Sequence, residues 1–200
     1  TRFPKSAHRT QILQLLQSIF LTNKDYAESL ATLERLNIKS PELTEAKQYV
    51  LLRLGEGALG RGDHSGAQEY LTRSLATGSH RDYTAQAHLL RATLALELGD
   101  YPTAEREASR SLASGHILPQ AYYFQGYGRY NQKKYPEAYS SFDTFTKQAP
   151  ATESLRRADA WMRMGDCQLI AKKSSEALSL YRKADESLPS GSDEALYRIA

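Results

Sequence analysis

Apolar side chains recur along this chain at the three- and four-residue spacing of helix faces, in stretches too long for strands and broken at regular intervals by Gly, Asp, Asn and Pro. The pattern predicts helices near residues 8–22, 25–37, 42–60, 64–77, 82–98, 101–114, 118–132, 135–148, 152–171 and 174–187. The breaks carry turn chemistry. Gly62-Asp63 and Gly99-Asp100 supply a glycine for a helix stop and an aspartate to cap the next helix. Pro102 and Pro136 stand where second helices open, and there a missing N–H costs nothing.

The helices fall into pairs that repeat every roughly 34 to 39 residues, a period that means stacked hairpins rather than a closed globule. Aligning the first helix of each pair on a small or polar residue gives the anchors Gln17, Gly55, Ala92, Gly126 and Gly165. Twelve residues later come Ser29, Ala67, Ala104, Ala138 and Ala177, and four further on Leu33, Leu71, Ala108, Phe142 and Tyr181. Small residues let two antiparallel helices approach closely, and the large ones fill the remaining gap. Pro41, Pro150 and Pro189 stand in the column expected to stop each second helix.

The columns Trp161, Met164-Gly165, Ala177, Tyr181, Ala184 and Pro189, repeated upstream by Tyr122, Gly126, Ala138, Phe142 and Pro150, resemble the tetratricopeptide repeat. The match is closest in the fourth and fifth repeats and thinnest in the first, where Gln17 and Ser29 replace Gly and Ala. The resemblance implies an all-α fold, a right-handed superhelical solenoid of antiparallel helix pairs with about five repeats plus a truncated final helix. We therefore expect one array over residues 1–200, with repeats at 8–41, 42–80, 82–116, 118–150 and 152–189 and the start of a further helix at 192–200. That tail, together with a first residue that is not Met, reads as a piece of a longer array.

Composition narrows the function. The net charge of +3 is small and dispersed, whereas phosphate binding needs a concentrated basic stripe. No run approaches the roughly 20 apolar residues of a membrane span. The lone cysteine, Cys167, reads as a small buried thiol. His8, His64, His80, His88 and His116 show no metal-ligand spacing, Gly55, Gly57, Gly60 and Gly62 form no phosphate-cradling loop, and no catalytic constellation or cofactor is expected.

In the family, first helices line a concave groove, and the resemblance carries its groove-facing places onto Leu52, Glu56, Leu89, Thr93, Glu97, Tyr123, Tyr127, Tyr130, Asp159, Met162, Asp166 and Leu169. No groove-facing place holds Lys or Arg, which sets the chain apart from relatives that clasp acidic chaperone tails. Tyr123, Tyr127 and Tyr130 follow helical spacing on one face and are expected as aromatic anchors, with packing between neighbouring repeats as the other reading. The acids select for a basic, apolar segment, unless Arg53, Arg91 and Arg163 neutralise them within the array. The expected function is non-catalytic: a protein-protein interaction scaffold holding a partner segment in its groove. The alternatives are a helical-repeat RNA-binding module, or the recruiting or spacer part of a larger enzyme or sensor. The pattern also resembles the long tetratricopeptide proteins of bacterial cell envelopes, which implies a periplasmic or outer-membrane-associated place, with the cytoplasm as alternative.

Overall fold

The computed structural model describes residues 7–36, 38–78, 80–188, 195, 197 and 198. These residues form ten α-helices: α1 (Ala7–Thr22), α2 (Tyr26–Leu36), α3 (Pro41–Gly60), α4 (His64–Thr77), α5 (Arg81–Glu97), α6 (Tyr101–Ala113), α7 (Pro119–Asn131), α8 (Tyr135–Gln148), α9 (Ser154–Ile170) and α10 (Ser174–Glu186). A 3-10 turn, Ala151–Glu153, precedes α9, and Ala195, Tyr197 and Arg198 are helical. Pro189 and, of the further helix expected at 192–200, residues 192–194, 196, 199 and 200 lie outside the described residues. The turns behave as their residues dictate. Gly62 and Gly99 take φ of 74° and 72°, while Asp63 and Asp100 accept from the backbone N–H of Gly66 and Thr103. Pro41 departs from expectation: it opens α3 behind the Ser40 cap instead of closing α2, because the first helical position needs no N–H.

Three hairpins close by one device. A Cβ placed on Gly55 would lie 2.7 Å from Leu71, one on Gly126 would lie 2.8 Å from Phe142, and one on Gly165 would lie 2.3 Å from Tyr181. The large residue of the second helix occupies the space the first helix leaves by having no side chain. The small column Ala67, Ala104, Ala138 and Ala177 is buried beside it. The first pair departs from this. With Gln17 in place of glycine, α1 and α2 do not close on each other; both rest on α3. Leu13, Phe20, Leu30 and Leu33 join Leu43, Ala46, Val50 and Leu51 in that core.

The third pair departs differently. Ala92 faces a column where Ala108 replaces the bulky residue, and the neighbouring Glu107 is completely buried. His88 Nδ1 lies 2.8 Å from its Oε2, Arg110 donates to Oε1 at 2.9 Å, and Arg91 and Arg106 stand at 3.6 and 4.0 Å. Burial pushes the Glu107 carboxyl up, but His88, Arg91 and Arg110 together hold it below the ordinary glutamate value. Ser111 Oγ donates to the Ala85 carbonyl at 2.8 Å, as Ser74 does to that of Gln48 one repeat earlier.

Two stability predictions follow from these contacts. Gly165→Ala should lower the unfolding free energy by about 1–3 kcal/mol through overpacking against Tyr181, whereas Gly60→Ala, with open space at its Cβ, should raise it by up to about 1 kcal/mol. Denaturant titration distinguishes the two. Because Glu107 is depressed in the folded state, its contribution is present above the unfolded value near 4.3 and is lost as pH falls through the lower folded value. Glu107→Gln should thus cost about 1.5–3 kcal/mol at neutral pH, and the gap to the parent should narrow below about pH 4.

Candidate functional site

Each first helix packs beside the next, α1 on α3, α3 on α5, α5 on α7 and α7 on α9, while the second helices make no comparable contact with one another. The first helices therefore form one continuous row. The side chains on that row carry the candidate site.

In the C-terminal half the row is held by a tyrosine–aspartate lattice. Tyr123 and Tyr127 of α7 donate their hydroxyls to Asp159 Oδ2 of α9 at 2.9 and 2.5 Å. Tyr130 donates to Asp166 Oδ2 at 3.1 Å, and Tyr181 of α10 donates to Asp166 Oδ1 at 2.9 Å. Arg163 threads between them, donating to Tyr127 at 3.3 Å and to Asp166 at 3.1 Å and lying 6.0 and 5.9 Å from the ring centroids of Tyr127 and Tyr130. Arg198 also reaches Asp166. The rings contact Phe142, Phe145 and each other at centroid distances of 5.0 to 6.0 Å. Burial, reinforced by Asp159, raises the Tyr123 and Tyr127 phenols, the latter to about 12, and burial together with Asp166 does the same to Tyr181, also to about 12. These hydroxyls stay protonated as donors at any physiological pH. Cys167, buried near Asp166, is pushed up to about 12 and is correspondingly inert.

The N-terminal half carries an aromatic ladder instead. Tyr26, Tyr49 and Tyr83 follow one another at 6.2 and 5.3 Å, His80 stacks on Tyr83 at 4.3 Å, and Arg53 lies 5.0 Å from the Tyr49 centroid. Arg53 pairs with Glu56 at 2.5 Å and donates to Gln86 at 3.3 Å. Glu97 is met by His64 at 3.2 Å. Arg91 turns to Glu107 at 3.6 Å.

The groove-facing residues expected from sequence thus separate into three groups. Glu56, Glu97 and Leu169 are exposed, and Leu89 and Thr93 are half-buried. Tyr123, Tyr127, Tyr130, Asp159 and Asp166 are half-buried and bonded across the α7–α9 boundary. Leu52 and Met162 are corrections. Leu52 is fully buried with Leu71 and Ala87, and Met162 is buried with Ala158, Ala184 and Ala195, so neither offers surface to a partner. The expectation of a groove without basic residues also changes, since Arg53 and Arg163 lie against its tyrosines. The missed links were readable in principle: Tyr123–Asp159, Tyr127–Arg163 and Tyr130–Asp166 are each 36 residues apart, close to the repeat period. Among the described residues no cluster of His, Cys, Asp or Glu is placed to hold a metal ion, and no helix is long and apolar enough to cross a membrane.

The tetratricopeptide repeat family model matches residues 52–122 and 123–192. The chain belongs to the tetratricopeptide repeat family. Among curated proteins none matches it in sequence. Solved tetratricopeptide structures share its fold. YrrB, described as a TPR protein with an unusual peptide-binding site, aligns over 96% of this chain and 97% of its own with 17% identity and a TM-score of 0.65. PilF of Pseudomonas aeruginosa aligns over 78% and 67% with 22% identity and a TM-score of 0.64. MamA of Desulfovibrio magneticus RS-1 aligns over 90% and 94% with 15% identity and a TM-score of 0.61. At these identities the likeness concerns the fold of the tetratricopeptide array.

In this tetratricopeptide array the lattice predicts energetic coupling between repeats. Tyr127→Phe and Asp159→Asn should each cost about 1 kcal/mol, and the double variant less than their sum by at least about 0.5 kcal/mol, in a double-mutant cycle read by denaturation.

Proposed function

We propose that the chain is a non-catalytic protein-interaction scaffold that holds an extended or helical segment of a partner protein along the row of first helices. The single observation that carries the reading is the continuity of that row, with α3, α5, α7 and α9 side by side. Along it, aromatic rings are fixed in place by hydroxyls already bonded to Asp159 and Asp166, so a partner meets aromatic surface that loses little freedom on binding. Tyr123, Tyr127 and Tyr130 serve through their ring edges and faces. Leu89, Thr93 and Leu169 add apolar contact, and the exposed carboxylates Glu56 and Glu97 bias the site toward a basic, apolar segment, whereas Asp159 and Asp166 are already met by Arg163. The peptide site described for YrrB, on the same fold, supports this reading. The envelope-type sequence pattern supports a periplasmic or outer-membrane-associated place of action.

Selection of a random displayed peptide library on the chain tests the reading. Enriched peptides should combine Lys or Arg with bulky apolar residues, and Glu56→Lys/Glu97→Lys should weaken them about tenfold, equal to about 1.4 kcal/mol. Peptides without a basic bias that bind parent and double variant alike, or RNA that outcompetes them, would overturn it.

A further inference from the structure

Where the fourth repeat meets the fifth, Tyr135, Pro136 and Tyr139 of α8 and Cys167, Ile170 and Ala171 at the end of α9 wall a hollow of about 470 Å³. Gln168 and Lys173 are its polar members. This size, with a mostly apolar wall and few polar groups, suits a small molecule. Tyr135 is held edge-on against Tyr130, with ring centroids 5.7 Å apart. None of the lining residues belongs to the groove set. The hollow also lies within the array rather than at an end of it. The column of Ile170 is exposed in every repeat, at Thr22, Gly60, Glu97 and Asn131, so a following repeat leaves this place uncovered.

The preceding boundary shows what is missing here. Shifted by one repeat, Tyr139 stands in the place of Glu105, Gln168 in that of Arg129, Ala171 in that of Gln132 and Lys173 in that of Lys134. In the earlier repeat Glu105 gathers all three donors, Arg129 at 2.9 Å, Gln132 at 3.0 Å and Lys134 at 2.7 Å. Burial pushes the Glu105 carboxyl up, but Lys134, Arg129 and Gln132 hold it below the ordinary glutamate value, so this setting favours a carboxylate. In the fifth repeat the lysine stays, an amide replaces the arginine, and the acid is gone. Among the described residues Lys173 makes no ion pair, not even with Glu176 three residues on, and the Gln168 side chain makes no hydrogen bond. Asp143, one turn along α8 from Tyr139, is taken by Lys147 at 2.5 Å. The turn therefore offers two donors for a carboxylate beside an apolar hollow, and the chain supplies no carboxylate to meet them.

We propose that this hollow binds a small molecule with an apolar body and a carboxylate, the body against Tyr135, Tyr139 and Ile170 and the carboxylate at Lys173 and Gln168. The ligand's carboxylate does there what Glu105 does one repeat earlier, tying the turn to the preceding second helix. The test is an amide NMR titration of the isotope-labelled chain with octanoate. Octanoate should move the amides of residues 135–139 and 167–173 and saturate with a Kd of about 1 mM or lower. Octylammonium, with the same body and the opposite charge, should leave those amides in place. Lys173→Gln, at an exposed position, should weaken octanoate about five- to tenfold. Tyr139→Glu supplies the missing acid from within and should weaken it at least about tenfold with helicity unchanged by circular dichroism, whereas Tyr139→Phe should bind as the parent does. Octanoate that moves no amide here, octylammonium that binds here equally well, or Lys173→Gln and Tyr139→Glu variants that both bind as the parent does would each overturn the proposal.

Discussion

A bulky side chain from one helix lies where its partner helix has none. At Gly55, Gly126 and Gly165 the missing Cβ lets Leu71, Phe142 and Tyr181 reach the neighbouring backbone, and Ala67, Ala138 and Ala177 let the helices close around the contact. Hairpin spacing follows from this, and with it the distance between successive first helices. The two exceptions show how strongly the geometry depends on it. Gln17 keeps α1 from closing on α2, and both lean on α3. Ala92 faces Ala108, and the third hairpin is drawn together by a buried glutamate among His88, Arg91 and Arg110.

Stacking of closed hairpins brings the first helices side by side, and the tyrosine–aspartate lattice lies on that row. Burial and hydrogen bonding act on the same tyrosines. Their hydroxyls are bonded to acids of the next repeat, which satisfies polar groups that would otherwise be buried at a cost. The rings that remain are rigid surface. In the proposed function, this rigidity lowers the entropy lost when a partner docks.

Much of the fold was legible because helix pairing is written in local columns. The anchor, the small residue twelve places on and the large residue four beyond it are close in sequence, and the structure brings them together as Gly126, Ala138 and Phe142. Helix limits agreed to within a residue or two for the same reason, with Gly62-Asp63 and Gly99-Asp100 acting through their own backbone. Leu52 and Met162 were less legible. A groove place taken from a family pattern fixes only an approximate angle around the helix, and the local rotation turned both inward. The lattice was harder still, since which acid receives a given tyrosine depends on the axial shift between repeats. The pairs sit 36 residues apart while the anchors Gly126 and Gly165 are 39 apart, a slip of nearly one helical turn.

Hydrogen exchange of the chain with a selected peptide bound tests most directly whether the row of first helices is the working face. Slowed exchange should concentrate in α3, α5, α7 and α9, with α4, α6, α8 and α10 little changed. Protection confined to the second helices or to the hairpin turns would contradict it and place the binding surface elsewhere.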